Sequence, residues 1–523
     1  MSIELYQKQQ QEVAEKAAHM KAVLVEPIID MGSGKFIMEN AVRAEKLEAA
    51  VGGTIFEGCG TAAPMIAATS SNALRVFANQ RGRLPADDLL ASAYNAIENI
   101  VAFTSGAAKP AGLVFESASL NTNDSAQAMM RDRMIALILP AMLQAVTSNI
   151  IGFIPGNFNQ SEIFKVWRTA GTTFGDLTAG DRIDWTFNGQ YSSMDLRTAA
   201  TPATGNGVVT SFSIAPNQPI KKKSIKIIHD KNIIAADDGN GNLVKVGTTT
   251  VNLAAGCTVN YITGAITVVF AAAPANGITV HVAYDVDIEK QPTLIPAINH
   301  EMDSRTLRPH EASITAATTL QALWGMRREF NLNIDNMATV GMRNLLAADK
   351  DRRHLRDLYF YAKGNQTWTY TVPNTGIAPQ EYYENLRQSL LSIDATLMKQ
   401  TGVSGLVGIV ADSKAATIIK STKFFEPVPG YVRIPQPHYV GRLFGLWDVY
   451  EDPQGASYNC LCFAKGREIT QAGYVAGDAI PAMTFKHAMQ GDLKYNNTLW
   501  ELAYRDLQPF DGREYLTTLT FTP

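Results

Sequence analysis

Cysteine is scarce: Cys59, Cys257, Cys460 and Cys462 are the four in 523 residues. So few in so long a chain cannot form a disulfide framework. Cys460 and Cys462 stand one residue apart in the apolar run Tyr458–Phe463, so on a strand they share a face. No neighbouring Cys or His pair completes a zinc site. Buried, reduced thiols are the expectation, in keeping with synthesis in a reducing cytoplasm. A secretion signal is also lacking, because Met1 to Met20 is rich in Gln, Glu and Lys and has no apolar stretch. The longest apolar run, Met134–Leu143, contains Pro140 and is too short to span a bilayer. Nor is there an excess of one charge. A net charge of −3 gives no footprint for wrapping nucleic acid. These absences predict a soluble chain that does not leave by the usual secretory route.

Catalytic motifs are missing too. Gly32-Ser-Gly-Lys35 invites a phosphate-loop reading, but Phe36 replaces the required Ser or Thr and Ile29 the first Gly. Asp238, Asn240 and Asn242 imitate the start of a calcium loop, yet Leu243 stands where Gly is needed and Thr249 where Glu belongs. Gly402-Val-Ser-Gly405 is no nucleophile elbow, since Leu406 holds the place of the second Gly. His300, His310 and His354, with Glu301, Asp303 and Asp351, could be drawn as an acid–base site; surface or interface histidines are the plainer reading. Lys221–Lys223 and the pair Asp285 and Asp287 read as solvated charge. No cofactor and no metal is expected.

What is present is patterning. A hydrophobic content of 46% and a charged content of 18% are those of a folded protein, and the length implies roughly two to four domains. Residues 1 to about 150 read as helical. Met1–Lys21 is a polar helix with a thin apolar face of Leu5, Val13 and Ala17. Gly52–Ser70 is a small-residue connection. Arg83–Phe103 is a helix opened by Pro85, Asp87 and Asp88, and Ser125–Ser148 is another, kinked at Pro140. From Phe158 to Thr198 the period becomes two, punctuated by glycine. The aromatic surface of this β-arm (Trp167, Phe174, Trp185, Phe187) is hard to bury within its own domain. Ala203–Asp287 reads as an autonomous small β-sandwich or barrel, with a hairpin turn at Asp237–Asn242.

Arg308–Leu346 reads as a long spine helix. Pro309 opens it, Ala317, Leu320 and Trp324 form an apolar stripe beside Arg327 and Arg328, and Asn331, Asn333 and Asn336 mark a break or a second helix. Beyond it, Glu381–Lys399 is a helix and Gly405–Ala411 a strand buried on both faces. Ser413–Ser421 is a short helix, and Leu443–Tyr450 and Tyr458–Ala464 are strands. Together these make an α+β chain.

The order of parts resembles the major capsid protein of tailed bacteriophages, whose fold is shared with herpesvirus shells, and most of all its larger T-even-like forms with an insertion domain. Ala316–Asp335 is similar to that family's spine-helix segment, and Val259–Tyr284 to β-modules of phage structural proteins. Leu443–Asp452 with Lys465–Ala476 is similar to its return from central to spine domain. The resemblance implies an N-terminal arm with helices (1–157), an extended β-loop (158–202, returning over 288–306) and an inserted β-domain (203–287). It further implies a spine-helix or peripheral domain (307–374), a central or axial domain (375–465) and peripheral strands (466–523). It implies a non-enzymatic subunit, made in the host bacterial cytoplasm, that self-assembles as hexamers and pentamers into an icosahedral or prolate shell around double-stranded DNA. Scaffolding, portal and decoration proteins would be its partners, and no membrane is involved. Trp167, Arg168, Phe174, Asp184, Trp185, Arg327 and Arg328 are the expected inter-subunit contacts. The alternative is another virion protein of tail or baseplate, or a bacterial surface protein with an immunoglobulin-like insert.

Overall fold

The computed structural model describes residues 3–27, 29–30, 35–52, 54–57, 63–104, 135–136, 138–143, 145–172, 178–183, 196–198, 203–215, 218–246, 251–295, 297–331, 334–372, 378–428, 434–456, 458–486 and 494–523. The N-terminal region is helical: α1 (Ile3–Leu24), α2 (Asn40–Val51), α3 (Ala63–Arg81) and α4 (Asp87–Thr104). Between α1 and α2 lies a small hairpin of β1 (Ile29–Asp30) and β2 (Lys35–Phe36). The polar α1 is held because Val13, Ala17, Met20, Val23 and Leu24 bury one side, which packs on α4. The small-residue stretch before Ser70 is not a connection throughout: α3 begins at Ala63, because Ala63, Ile66, Ala67 and Leu74 repeat at helical spacing and are buried.

Strands β3 (Gly152–Phe153) and β4 (Ser161–Ala170) follow. Next come β5 (Leu196–Thr198), β6 (Ala203–Thr204), β7 (Ser211–Ile214), β8 (Lys226–His229) and β9 (Asn232–Asp237). The run continues with β10 (Leu243–Lys245), β11 (Thr258–Val259), β12 (Ile266–Val269) and β13 (Thr279–Asp285). After β14 (Ile298–Leu307) and β15 (His310–Thr319) stand α5 (Leu320–Phe330), α6 (Ile334–Tyr361) and β16 (Gly364–Thr369). Helices α7 (Pro379–Tyr383) and α8 (Leu386–Thr401) lead to β17 (Gly408–Asp412) and α9 (Ser413–Lys420). The chain closes with β18 (Phe425–Pro427), β19 (His438–Leu443), β20 (Trp447–Asp452), β21 (Asn459–Phe463), β22 (Tyr474–Lys486), β23 (Lys494–Leu507) and β24 (Leu516–Thr522).

The described chain is a mixed α+β protein that divides into two compact units: Met1–Lys165 with Asp303–Pro523, and Val166–Met302. The division falls inside β4 and β14, which pair with each other.

The first unit is built round a seven-stranded sheet in the order β16-β24-β21-β17-β20-β19-β18. The apolar run at β17 lies near its middle, parallel to β20 and antiparallel to β21, with all five residues buried. Alternation sends Val410 to the core that contains the N-terminal helices, and Ile409 and Ala411 to the core beneath α8 and α9. Asp412 ends the strand and caps α9, accepting from Ala415 N at 2.9 Å. Cys460 and Cys462 sit on β21 within the second of these cores, unpaired. Burial raises the Cys462 thiol to about 12, and burial also raises the Cys460 thiol well above its ordinary value.

A second sheet of this unit runs β15-β23-β22-β3. Here the expected spine helix is corrected. Its opening residues, His310–Thr319, are strand, paired without a bulge against Ala503 to Lys494 of β23. The helical spacing of Ala317, Leu320 and Trp324 straddles a strand and a helix. The β-branched Ile314, Thr315, Thr318 and Thr319 favour the extended form once a partner strand is available. Thr319 caps α5, accepting from Ala322 N at 3.3 Å, and Asn331 ends α5 in the left-handed conformation (φ 52°). Two more expectations change. Leu443–Tyr450 is not one strand: Leu443 ends β19, Phe444 and Gly445 turn at positive φ, and Trp447–Tyr450 belong to β20. Glu381–Lys399 divides into α7 and α8.

The second unit has its own core of Ile225, Ile227, Ile266, Val268, Phe270, Val280, Val282 and Tyr284. One sheet runs β10-β9-β8-β13-β5, with β6 also on β13; the other runs β11-β12-β7. The Asp237–Asn242 hairpin joins β9 to β10, with Leu243 opposite Asp237.

Candidate assembly surface

Helices α5 and α6 present two unlike sides. Met342 and Leu346 bury against Leu499 beside Ala312, Ile314 and Ala316 of β15, while Leu355 and Leu358 join the main core. Several large apolar side chains of both helices lie in water among charged ones. Trp324 is 68% exposed, Phe330 63%, Met337 58% and Leu345 62%, with Leu320 and Phe360 also exposed. Leu320 and Trp324 lie one helical turn apart, so they form a continuous patch. The sequence shows this stripe but not its direction: neighbours Leu345 and Leu346 face water and core respectively.

Arg327 and Arg328 are exposed in the last turn of α5, beside the patch. Trp167 and Arg168 belong to the other unit, on β4. Trp167 is half-buried, with the Arg182 guanidinium 3.9 Å above its ring, so it has a partner within its own unit. Arg168 is exposed, and its carbonyl accepts from Ile183 N at 2.9 Å. Phe174, Asp184 and Trp185 lie outside the described residues.

The histidines do not make an acid–base site. His300 and His310 are exposed on β14 and β15, whereas His354 is 2% exposed on α6. Its Nδ1 lies 3.4 Å from Thr147 Oγ1, which donates to Asp351 Oδ1 at 2.9 Å, and its ring packs 4.9 Å from Tyr474. Nε2 is buried with no hydrogen-bond partner among the described residues. Burial first, then the positive charges of Lys350, Arg505 and Arg353, hold the imidazole well below the ordinary histidine value. It is therefore neutral when folded and protonates on unfolding. Its contribution to stability is complete above about pH 6.5 and is lost as pH falls below that, toward the depressed native value. His354→Phe is expected to flatten the decline of the unfolding midpoint from about pH 6.5 downward. Equal slopes in mutant and parent would remove His354 as its cause.

An open groove of about 570 Å³ between the end of α1 and α2, lined by Glu26, Pro27, Ile29 and Lys46, holds no convergent polar set. Among the described residues, no group of three His, Cys, Asp or Glu converges as a metal site. No described helix is long and apolar enough to cross a membrane.

A buried charge cluster joins the N-terminal helices to the seven-stranded sheet. Asp448 of β20 accepts from Arg83 Nη2 at 2.8 Å and Arg442 Nε at 3.1 Å, and lies 4.0 Å from Arg81 Nη1. Arg81 lies between the rings of Tyr439 and Tyr450 and donates to the Tyr450 hydroxyl. Burial, then the Asp448 charge, raises the Tyr439 phenol to about 12. No sequence motif announces this cluster, because Arg83 lies 365 residues from Asp448, and Arg81 is as remote.

Three comparisons bear on the chain. The family described as Domain of unknown function (DUF8615) matches residues 1–145. Protein IncB of Escherichia coli is 31% identical over 172 residues, covering 32% of this chain and 83% of that protein. Among solved structures, the capsid of Myoviridae Phage XM1 is 10% identical at a TM-score of 0.31, covering 60% of this chain and 87% of the other. A Mycobacterium phage Che8 chain is 11% identical at 0.31, covering 61% and 97%.

Proposed function

We propose that this chain, which belongs to the family of Protein IncB of Escherichia coli through its 172 matched residues, is a major capsid protein of a tailed bacteriophage. The observation that carries the reading is that Trp324, Phe330, Met337 and Leu345 are left in water on α5 and α6. Each such side chain gains about 1.5–3 kcal/mol when buried, so the isolated chain is incomplete and neighbours complete it. The paired β4 and β14, which lead to an inserted β-unit and return from it, support the same reading. In this role the chain forms hexamers and pentamers, and these close into an icosahedral or prolate shell. Many modest contacts then hold each subunit by their sum. The weak net charge of −3 suits a wall that encloses double-stranded DNA without sequence-specific grip. Scaffolding, portal and decoration proteins are the expected partners, and Arg327, Arg328, Trp167 and Arg168 the expected contacts.

Electron microscopy of the concentrated protein, with its sedimentation profile, tests this. Closed shells, tubes or five- and six-membered rings are the expected result. A monomer at every concentration, with or without co-expressed scaffold, would overturn the proposal.

A further inference from the structure

Among the described residues, most sheet edges are short or carry charge or proline. At the ends of sheets, β3 has two residues, and β5, β10 and β18 three each, with Arg197, Lys245 and Pro427 among them. The pair β4 and β14 carries Glu162, Lys165 and Arg168 on one strand and Glu301, Asp303 and Arg305 on the other. Edge strand β16 has six residues, and Tyr382 Oη donates to Thr369 O at its end. Shortness, charge and proline are the usual means of keeping an edge from recruiting another strand.

Strand β15 has only one of them, the charge of Glu311 near its start. It is ten residues long, contains no proline, keeps unbroken register with β23, and carries no Asp, Glu, Lys or Arg after Glu311. Among the described residues, no other strand pairs with its second edge. One face, Ala312, Ile314 and Ala316, packs toward Met342 and Leu346 of α6.

We infer that β15 pairs antiparallel with β15 of a second copy, joining two four-stranded sheets into one of eight across a two-fold axis. The strand suits itself as occupant. A two-fold axis normal to the sheet places residues of the same face opposite each other. Centred on Ile314, the register sets Ala312 against Ala316, Ser313 against Thr315 and Glu311 against Ala317. Centred on Thr315, it sets Ile314 against Ala316, Ser313 against Ala317 and Glu311 against Thr319. In both, the single acidic residue meets a small neutral one, and β-branched or small side chains fill the rest. A partner of other sequence has no feature of this edge to recognise beyond its backbone. The pairing rests on the shell reading only in that a shell brings many copies together.

The test is cysteine cross-linking of the full chain. Ser313→Cys/Thr315→Cys under mild oxidation should give a disulfide-linked dimer at least ten times faster than the exposed control Thr263→Cys, with the bond mapped between 315 and 315 or between 313 and 315 of the two copies, one for each register. Thr315→Lys, which sets two ammonium groups against or beside each other, should abolish the dimer without moving the unfolding midpoint. Cross-linking no faster than the control would overturn the pairing, and so would a bond mapped outside residues 310–319. If Thr315→Lys does not fold, the cysteine variant still decides. Shells without the cross-link would sink the strand pairing and leave the shell; the cross-link without shells would do the reverse.

Discussion

Asp448→Ala should destabilise the larger unit by about 3–5 kcal/mol, the usual effect of removing one partner from a buried charge cluster. Side-chain exposure is 4% for Asp448 and 5% for Arg81, so the substitution leaves a guanidinium desolvated beside two raised tyrosine phenols, with no anion in contact. Arg83 is 45% exposed and can turn to water, so most of the loss falls on Arg81. Asp448→Asn keeps an acceptor but not the charge, and should fall between the two. The cluster connects α3 to β19 and β20, so the damage should be specific: limited proteolysis should release the N-terminal helices before the sheet is cut. An Asp448→Ala protein with the parent's denaturation midpoint and proteolysis pattern would show that apolar packing alone holds those helices.

Trp324→Asp has the opposite signature. At 68% exposure the ring makes little of the fold, and surface changes of this kind usually stay within about 0.5 kcal/mol. In an assembly, a central tryptophan is the residue type most enriched among energetic hot spots, at about 2 kcal/mol or more. That is roughly a thirtyfold loss at each contact, repeated around every subunit. Assembly followed by light scattering should fail at concentrations where the parent assembles, while the unfolding curve of the dissociated chain stays put. Normal assembly by Trp324→Asp would place the stripe outside any interface. Trp167→Ala should do less to assembly than a fully exposed aromatic would, because Arg182 already covers one face of that ring.

Much of the fold was legible wherever a segment's own sequence is sufficient. Gly405–Ala411 is continuously apolar because both faces of β17 are covered, and the β-unit announces itself by alternation and turns. What failed was pairing at a distance. His310–Thr319 reads as the start of a helix until β23, some 180 residues on, supplies ten residues of register. The surface was half legible. The stripe from Leu320 to Leu346 is visible as periodicity, but whether Leu345 or Leu346 meets the core depends on where β15 and β23 lie. Asp448 and its distant arginines were invisible for the same reason, since nothing local marks an aspartate that Arg81 and Arg83 approach from the other end of the chain.

That distance has a consequence for how the chain comes into being. Arg81 and its partner Tyr450 are 369 residues apart. At a synthesis rate of about 5–20 residues per second, the N-terminal helices wait roughly 20–70 s for the sheet that buries them. During that interval Phe77 and Leu74 of α3 have no sheet to meet, so the nascent chain is at its most aggregation-prone before its last third is translated. Slower translation should therefore lower the soluble yield, and a chaperone that holds the first hundred residues should restore it.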